Sequence, residues 1–399
     1  MSIIPAQCRT ALRDTLRIVH GKNQFTQESN NVRTADKRAQ FYINWCTNKS
    51  LLPNLTASTN GTPITDIEAV NNIMACFLVD LLQGNNLDKR QIKYKTAERY
   101  MMVAARIRTR GTPRLHDPRL DECGKEFHEI TRIKQEQRRW ESKTDKQNPV
   151  TKAMIEYMVT TTDISSPDSI ESALADWHII GEYTGIRISE WAQPDRNPTY
   201  TKRQLSPEGD TLAFQFDDVQ YFGKHDVRLP QSRSDTLYFT DITRVQYRWR
   251  FQKNGIKGET KSLSRNETDP LHCPVRASLR IRERFLRTPN LPKDHPLALF
   301  RPTPSTTPVL IKAHHVSQHL QKTASCIYKI TDKKELKLYS PHSIRVGACV
   351  TLHIAGATDK DIKFLLRWRS DSFMEYLRDI PETCHIMIKH VNNVKNCIQ

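Results

Sequence analysis

The chain has 399 residues, with 61 Lys and Arg against 44 Asp and Glu, a formal net charge of +17. Hydrophobic residues make up 37% and charged residues 26%, enough for buried cores and too apolar for a disordered chain. Only 13 Gly and 21 Pro exclude a collagen-like or low-complexity sequence, and runs such as Ile73 to Val79 fall far short of the ~20 apolar residues that span a bilayer. The start of the chain has no basic stretch followed by an apolar one, so a soluble chain with no secretory leader and no membrane partner is expected. Nine scattered cysteines without a Cys-x-x-Cys pair favour free thiols in a reducing, intracellular setting. The length predicts two or three domains. The basic surplus points to a polyanionic partner, nucleic acid being the usual one, although such a surface can also serve solubility alone.

Residues 1–32 are polar and read as a flexible arm. From Thr34 a helical period begins, with Phe41, Tyr42, Trp45 and Cys46 on one stripe. A second helix is expected to open on a Thr65-Asp-Ile-Glu68 capping box and to run through Val70, Phe77 and Leu81 to the turn at Gly84-Asn85-Asn86. A third, from about Thr96 to Arg108, mixes Tyr100, Met101, Ala104 and Ile107 with Arg99, Arg106, Arg108 and Arg110. Residues 33–124 therefore predict a small all-α domain with a basic edge. Residues 125–149 lack a comparable apolar face and read as a basic linker. Between Gly84 and Gln147 there are 17 Lys and Arg against 10 Asp and Glu, a surplus suited to lying along a phosphate backbone.

The next domain, residues 150–379, starts with helices near Ala153–Met158 and Ile170–Glu182. The period then changes to 2: Val245, Tyr247, Trp249 and Phe251 share one face, and Gln246, Arg248 and Arg250 the other. Asn254-Gly255 is a strong hairpin signal, and a return strand is expected near Thr260–Leu263. Helices resume near Val275–Leu286 and Val309–Lys322. The expected fold is mainly α with a small antiparallel β-sheet, an all-α N-terminal domain followed by an α+β one. His315 and His319 stand at i, i+4, but no acidic residue follows the first as in His-Glu-x-x-His, so they read as a helix face.

Four scattered pieces carry chemistry. Tyr183-Thr-Gly-Ile-Arg-Ile-Ser-Glu190 places Arg187 at a helix start, and the hairpin brings Lys253. His342-Ser-Ile-Arg345 opens a helix whose core face is Ala348, Cys349 and Leu352, and Leu365 to Tyr376 follows. Trp368 lies 23 residues after Arg345, and Tyr376 lies 8 after Trp368. Taken singly, Arg187 and Glu190 are a surface i, i+3 pair, Trp368 is core filler and Tyr376 a packing residue. In this order and spacing the chain resembles the tyrosine site-specific recombinases of the phage-integrase family, nearest to the Cre-like and eukaryotic Crypton-like members. The resemblance covers about residues 150–380 by motif. It departs from the common pattern at Trp368, where most members carry His, and at Arg367, which replaces the usual Gly.

That resemblance implies a DNA strand-cleaving and rejoining enzyme in which Tyr376 attacks the scissile phosphate and forms a 3′-phosphotyrosyl bond, without metal, nucleotide or other cofactor. Arg187 and Arg345 would clamp the phosphate oxygens, because a planar guanidinium offers paired, permanently charged donors. His342 would donate to the phosphate or move a proton, and Trp368 would donate its indole N–H. Lys253 would protonate the leaving 5′-oxygen, with Lys257 and Lys261 of the same hairpin as alternatives. Glu190 would hold the site together, and Arg99, Arg106, Arg108, Arg110, Arg248 and Arg250 would contact duplex DNA. The family also implies a homotetramer on paired sites, residues 380–399 forming a C-terminal helix that docks in trans, and residence with the genome, in a nucleus or a bacterial cytoplasm. Alternative readings are a catalytically silent DNA-binding protein of the same fold and a type IB topoisomerase-like relaxing enzyme.

Overall fold

The computed structural model describes residues 30–377, apart from 111–114, 142–145, 164–165, 193–212, 233, 251, 253–255, 289 and 303–306. Lys253, nearly all of the expected arm and the expected C-terminal helix at 380–399 lie outside the described residues. The chain divides into two compact units, Met1–Thr144 and Asp145–Gln399.

In the first unit, four helices bury one apolar face each: α1 (Asn30–Asn48), α2 (Ile67–Leu82), α3 (Tyr94–Thr109) and α4 (His128–Trp140). Tyr42 and Trp45 of α1 close on Phe77 of α2, with ring centroids 5.1 and 4.9 Å apart, and Ala97 and Ala104 let α3 lie close to them. The N-cap of α2 is Asp66 rather than Thr65; its carboxylate accepts from the backbone N–H groups of Glu68 and Ala69 at 3.2 and 3.1 Å, one residue later than expected. The stretch expected as a linker holds α4, and Phe127 and Ile130 are buried in the same core. Its apolar face is narrow, so charged residues dominate the sequence of this stretch.

The second unit opens with α5 (Lys152–Thr161), α6 (Ile170–Thr184) and the short α7 (Ile188–Trp191). A three-stranded antiparallel sheet follows in the order β1 (Val219–Phe222), β2 (Arg244–Trp249), β3 (Glu259–Ser264). Next come α8 (Pro274–Leu286), the two-residue pair β4 (Leu299–Phe300) and β5 (Val309–Leu310), α9 (Ala313–Tyr328), α10 (Lys333–Leu336), α11 (Pro341–Ile354), α12 (Asp359–Leu366) and α13 (Met374–Leu377). The unit is thus mainly α with small antiparallel sheets. Strand β2 alternates as expected: Val245, Tyr247 and Trp249 are buried, and Trp249 pairs with Glu259 and Tyr247 with Lys261. Strand β1, four residues followed by Gly223, is not among the expected elements, being too short for a period to stand out. Val309–Leu310, expected to begin a helix, is β5 instead.

Helix α6 is buried nearly all round, packed between α8 and α11. Arg284 of α8 and Asp176 of α6 form a fully buried ion pair at 2.8 Å, and Arg280 takes the other carboxylate oxygen at 2.7 Å. On the other side, Gly181 and Gly347 allow close approach. A Cβ on Gly347 would stand 2.2 Å from the Val150 carbonyl oxygen, and one on Gly181 would stand 2.4 Å from Ile344 Cγ2. Gly181 sets the distance at which α11 lies on α6, and Gly347 the distance between α11 and the backbone at Val150 that leads into α5, so together they fix the position of everything α11 carries.

Gly347→Ala is therefore expected to destabilise the second unit by about 2–3 kcal/mol, because the obstacle is backbone and cannot rotate away. Urea unfolding of the two proteins measures this, and an unchanged midpoint would contradict the close approach.

Candidate active site

Helix α6 ends at Gly185, which takes the left-handed conformation (φ 54°, ψ 37°) that a side chain disfavours. The turn sends Arg187 to the N-cap of α7, where the Glu190 carboxylate reaches back to the Arg187 backbone N–H at 3.0 Å and to its guanidinium Nη1 at 2.9 Å. Glu190 is 3% exposed. The same carboxylate accepts from the Trp249 indole N–H of β2 at 2.9 Å and from Arg367 Nη2 at 3.1 Å. Burial alone would raise its pKa, but the charges of Arg367 and then Arg187 more than reverse this and hold it below the usual carboxylate range.

Helix α11 starts at a Ser340 N-cap with Pro341 in its first turn, and this places His342 and Arg345 one turn apart on one face. Arg345 is buried and donates from Nη1 to the Gly185 carbonyl at 2.5 Å, while its guanidinium lies 4.0 Å from the centre of the Trp368 ring. Burial, and then the like charge of Arg187, push Arg345 down to about 9. After α12 the chain turns through Arg367, itself left-handed at φ 58°, to Trp368 and then to Tyr376 on α13. A non-glycine residue in that conformation costs about 1 kcal/mol, so Arg367 stands there because of what its side chain does.

Tyr376 Oη lies 2.9 Å from His342 Nε2, and its ring centroid is 5.5 Å from that of Trp368. Burial raises the phenol, against the pull of Arg345 and Arg187. His342 keeps an exposed edge, yet desolvation by its neighbours and then the charges of Arg345 and Arg187 push it below the usual imidazole range. A neutral imidazole beside the phenol is positioned to take its proton. Arg187, Glu190, His342, Arg345, Trp368 and Tyr376, spread over 190 residues of chain, therefore meet in one cluster.

The cluster contains more positive than negative charge. Arg187 and Arg367 bond the Glu190 carboxylate, and Arg345 stands beside them, bonded to the Gly185 carbonyl. Three buried donors, Arg345 Nη2, Arg367 Nε and the Trp368 indole N–H, have no acceptor among the described residues. Buried donors of this kind are uncommon, because each loses its water without compensation. An anion with several oxygens would balance the charge and accept from the Arg345 and Trp368 donors beside Tyr376.

The other expected residues divide. Arg99, Arg106 and Arg110 are exposed on α3 and its C-cap, and with Lys95 and Met102 they form one stripe at i, i+4 and i+3 spacing, with no ion pair among the described residues. Arg108 is a correction: it is buried and its guanidinium bonds the carbonyls of Asn54, Leu55 and His116 at 2.6, 2.9 and 3.0 Å, where it holds loops together. On the sheet, Arg250 is held by buried Asp218 at 2.8 Å, so it does not stand free for DNA, and Arg248 lies 3.5 Å from the same carboxylate with its side chain 43% exposed. Of the hairpin lysines, Lys261 on β3 is half-buried, and its ammonium is pushed down by burial and then by Arg367. His319 is half-buried beside the buried His178 with ring centroids 5.6 Å apart, and no group of three or more metal-ligating side chains occurs among the described residues. Arg367, Gln252 and Trp249 were missed as site residues; the one sign in the sequence was an arginine where the family pattern has glycine.

No family model and no curated protein matches the sequence. Among solved structures, the integrase of transposon Tn1549 in complex with transposon right-end DNA aligns over 95% of this chain and 99% of its own, at 11% identity and a TM-score of 0.46. The XerH site-specific recombinase bound to its difH substrate aligns over 92% of each chain, at 11% identity and a TM-score of 0.41. Likeness at that level leaves the chemistry to be read from the side chains.

Replacing Glu190 by Gln leaves the Arg187 and Arg367 guanidiniums without their carboxylate and is expected to destabilise the second unit by about 3 kcal/mol at neutral pH. Because the native carboxylate is held below its unfolded value of ~4.3, its contribution is complete above that pH and is lost as pH falls through the lower native value. Denaturant titrations should show the gap between wild type and E190Q narrowing on acidification, and a gap independent of pH would contradict this.

Proposed function

We propose that this chain is a DNA strand-cleaving and rejoining recombinase with Tyr376 as nucleophile. The observation that carries the reading is a phenol hydrogen-bonded to an imidazole beside three guanidiniums, two of them on one carboxylate, with buried Arg345 and Trp368 donors left over. Such a set suits a phosphodiester: Arg187 and Arg345 take its non-bridging oxygens, and the Trp368 N–H adds a third donor. The Tyr376 oxygen attacks phosphorus and its proton passes to His342. A Tyr–O–P bond forms, the bond to the 5′-oxygen breaks, and that oxygen takes a proton. The phosphodiester energy stays in the phosphotyrosyl bond, so the reverse attack by a 5′-hydroxyl reseals the strand without ATP.

Lys261 is the hairpin lysine that best suits the leaving-group role among the described residues. It is half-buried on β3, near Arg367, and its depressed ammonium gives up a proton more readily than a solvated one. The Arg99, Arg106, Arg110 and Lys95 stripe on α3 suits contact with a phosphate backbone. A homotetramer on paired sites, the docking of the last twenty residues in trans and residence with the genome belong to the same proposal.

Incubation with a nicked duplex that loses its 5′-product should trap a covalent adduct with wild type and none with Tyr376→Phe; duplex binding without any adduct would instead favour a silent DNA-binding protein. Lys261→Ala should slow cleavage about a hundredfold on a normal substrate, yet leave the rate nearly unchanged when sulfur replaces the bridging 5′-oxygen, because sulfur departs unprotonated. Equal slowing on both substrates would remove Lys261 from this role. Each neutral substitution in the α3 stripe should lower the log–log salt slope of binding by about 1, whereas slopes equal to wild type would exclude the stripe from the interface.

A further inference from the structure

The arginine at the left-handed turn before Trp368 is not explained by the chemistry above. Arg367 is 5% exposed, and its guanidinium stacks 3.6 Å from the centre of the Trp249 ring. It donates from Nη1 to Gln252 Oε1 at 3.0 Å and from Nη2 to Glu190 Oε2 at 3.1 Å. Gln252 in turn donates to the Glu259 carboxylate, and Glu190 holds Arg187. One side chain thus joins three stretches of chain: the β2–β3 hairpin, the turn that presents Arg187, and the segment that carries Trp368 and Tyr376. Glycine would adopt the same backbone without strain and make none of these bonds.

We propose that Arg367 is a positioning residue that fixes the Tyr376 segment against the hairpin and Arg187, so that the nucleophile is aligned only when the Gln252–Arg367–Glu190 chain of bonds is intact. The inference rests on the recombinase reading above and goes beyond it, because it makes cleavage depend on a residue that touches neither phosphate nor leaving group. The geometry favours arginine over lysine: a planar fork reaches two acceptors on different elements at once, and a single ammonium does not. The charged groups that face it are Glu190 and Arg187 on the α7 side, Glu259 and Lys261 on β3, and Arg345 on α11. Of these, Glu190 is the one whose ionisation Arg367 supports most directly.

The test is single-turnover cleavage of the nicked duplex by the full chain across about pH 5 to 9, with duplex affinity measured alongside. Arg367→Gly keeps the favoured backbone and removes the fork. Its cleavage rate is expected to fall about a hundredfold with duplex affinity within threefold of wild type. The acidic limb of its rate profile should also move to higher pH, because Glu190 loses a positive neighbour. Arg367→Lys restores the charge but not both bonds, so the acidic limb should return towards wild type while the rate stays low. A wild-type rate and profile in Arg367→Gly would overturn the inference, as would parallel losses of rate, affinity and thermal midpoint in both variants. If Arg367→Gly fails to fold, Arg367→Lys decides: a slow rate with intact affinity supports the proposal and a wild-type rate overturns it. No adduct with wild type would overturn the strand-cleavage reading and this inference with it, whereas an adduct whose rate ignores Arg367 overturns the inference alone.

Discussion

A carboxylate that has lost nearly all its water and holds guanidiniums from two directions is the constraint on which the second unit's site depends. Glu190 accepts from the Arg187 backbone and side chain, from Trp249 and from Arg367, so α7, the hairpin and the turn after α12 all converge on it. Desolvating one ion costs several kcal/mol, and only dense bonding offsets that. The bonding also leaves an excess of positive charge. With Arg345 added, the cluster has guanidinium charge in excess, which suits the binding of an anion with several oxygens.

The rest of the unit delivers these groups to one place. Gly185 turns the chain so that its carbonyl meets Arg345; Gly181 lets α11 settle against α6, and Gly347 lets it settle on the Val150 backbone, at the distance this bond needs. The Trp368 ring packs against both Arg345 and Tyr376, with the guanidinium 4.0 Å and the phenol ring 5.5 Å from its centre, so one rigid side chain fixes both groups. Elements far apart in sequence meet only when the helical core around α6 has closed. The site is therefore a product of tertiary packing, and a change in that packing reaches the chemistry.

The legible and illegible parts of the sequence differ in a physical way. The period-2 alternation of Val245, Tyr247 and Trp249, the helix start at His342 and the spacing from Arg345 to Tyr376 are local patterns, and the structure places those residues as the patterns implied. Local patterns do not report where a long side chain ends. Arg108 looked like its neighbours Arg106 and Arg110 but falls on the buried side of α3 and caps three carbonyls, and Arg250 alternates outward only to meet Asp218. The capping residue of α2 was displaced by one position, and α4 was hidden by its charge. Arg367 was visible only as an exception, because its role is set by a positive φ and by partners more than a hundred residues away.

The central claim is that a phosphate sits between the guanidiniums and the Tyr376 oxygen. Its most direct measurement is peptide mapping, by mass spectrometry, of the protein recovered after reaction with a nicked duplex and digestion of the DNA. The account requires a nucleotide remnant joined through its 3′-phosphate to the peptide bearing Tyr376. A remnant on another residue, such as Tyr339, or an unmodified protein after prolonged reaction, would contradict it.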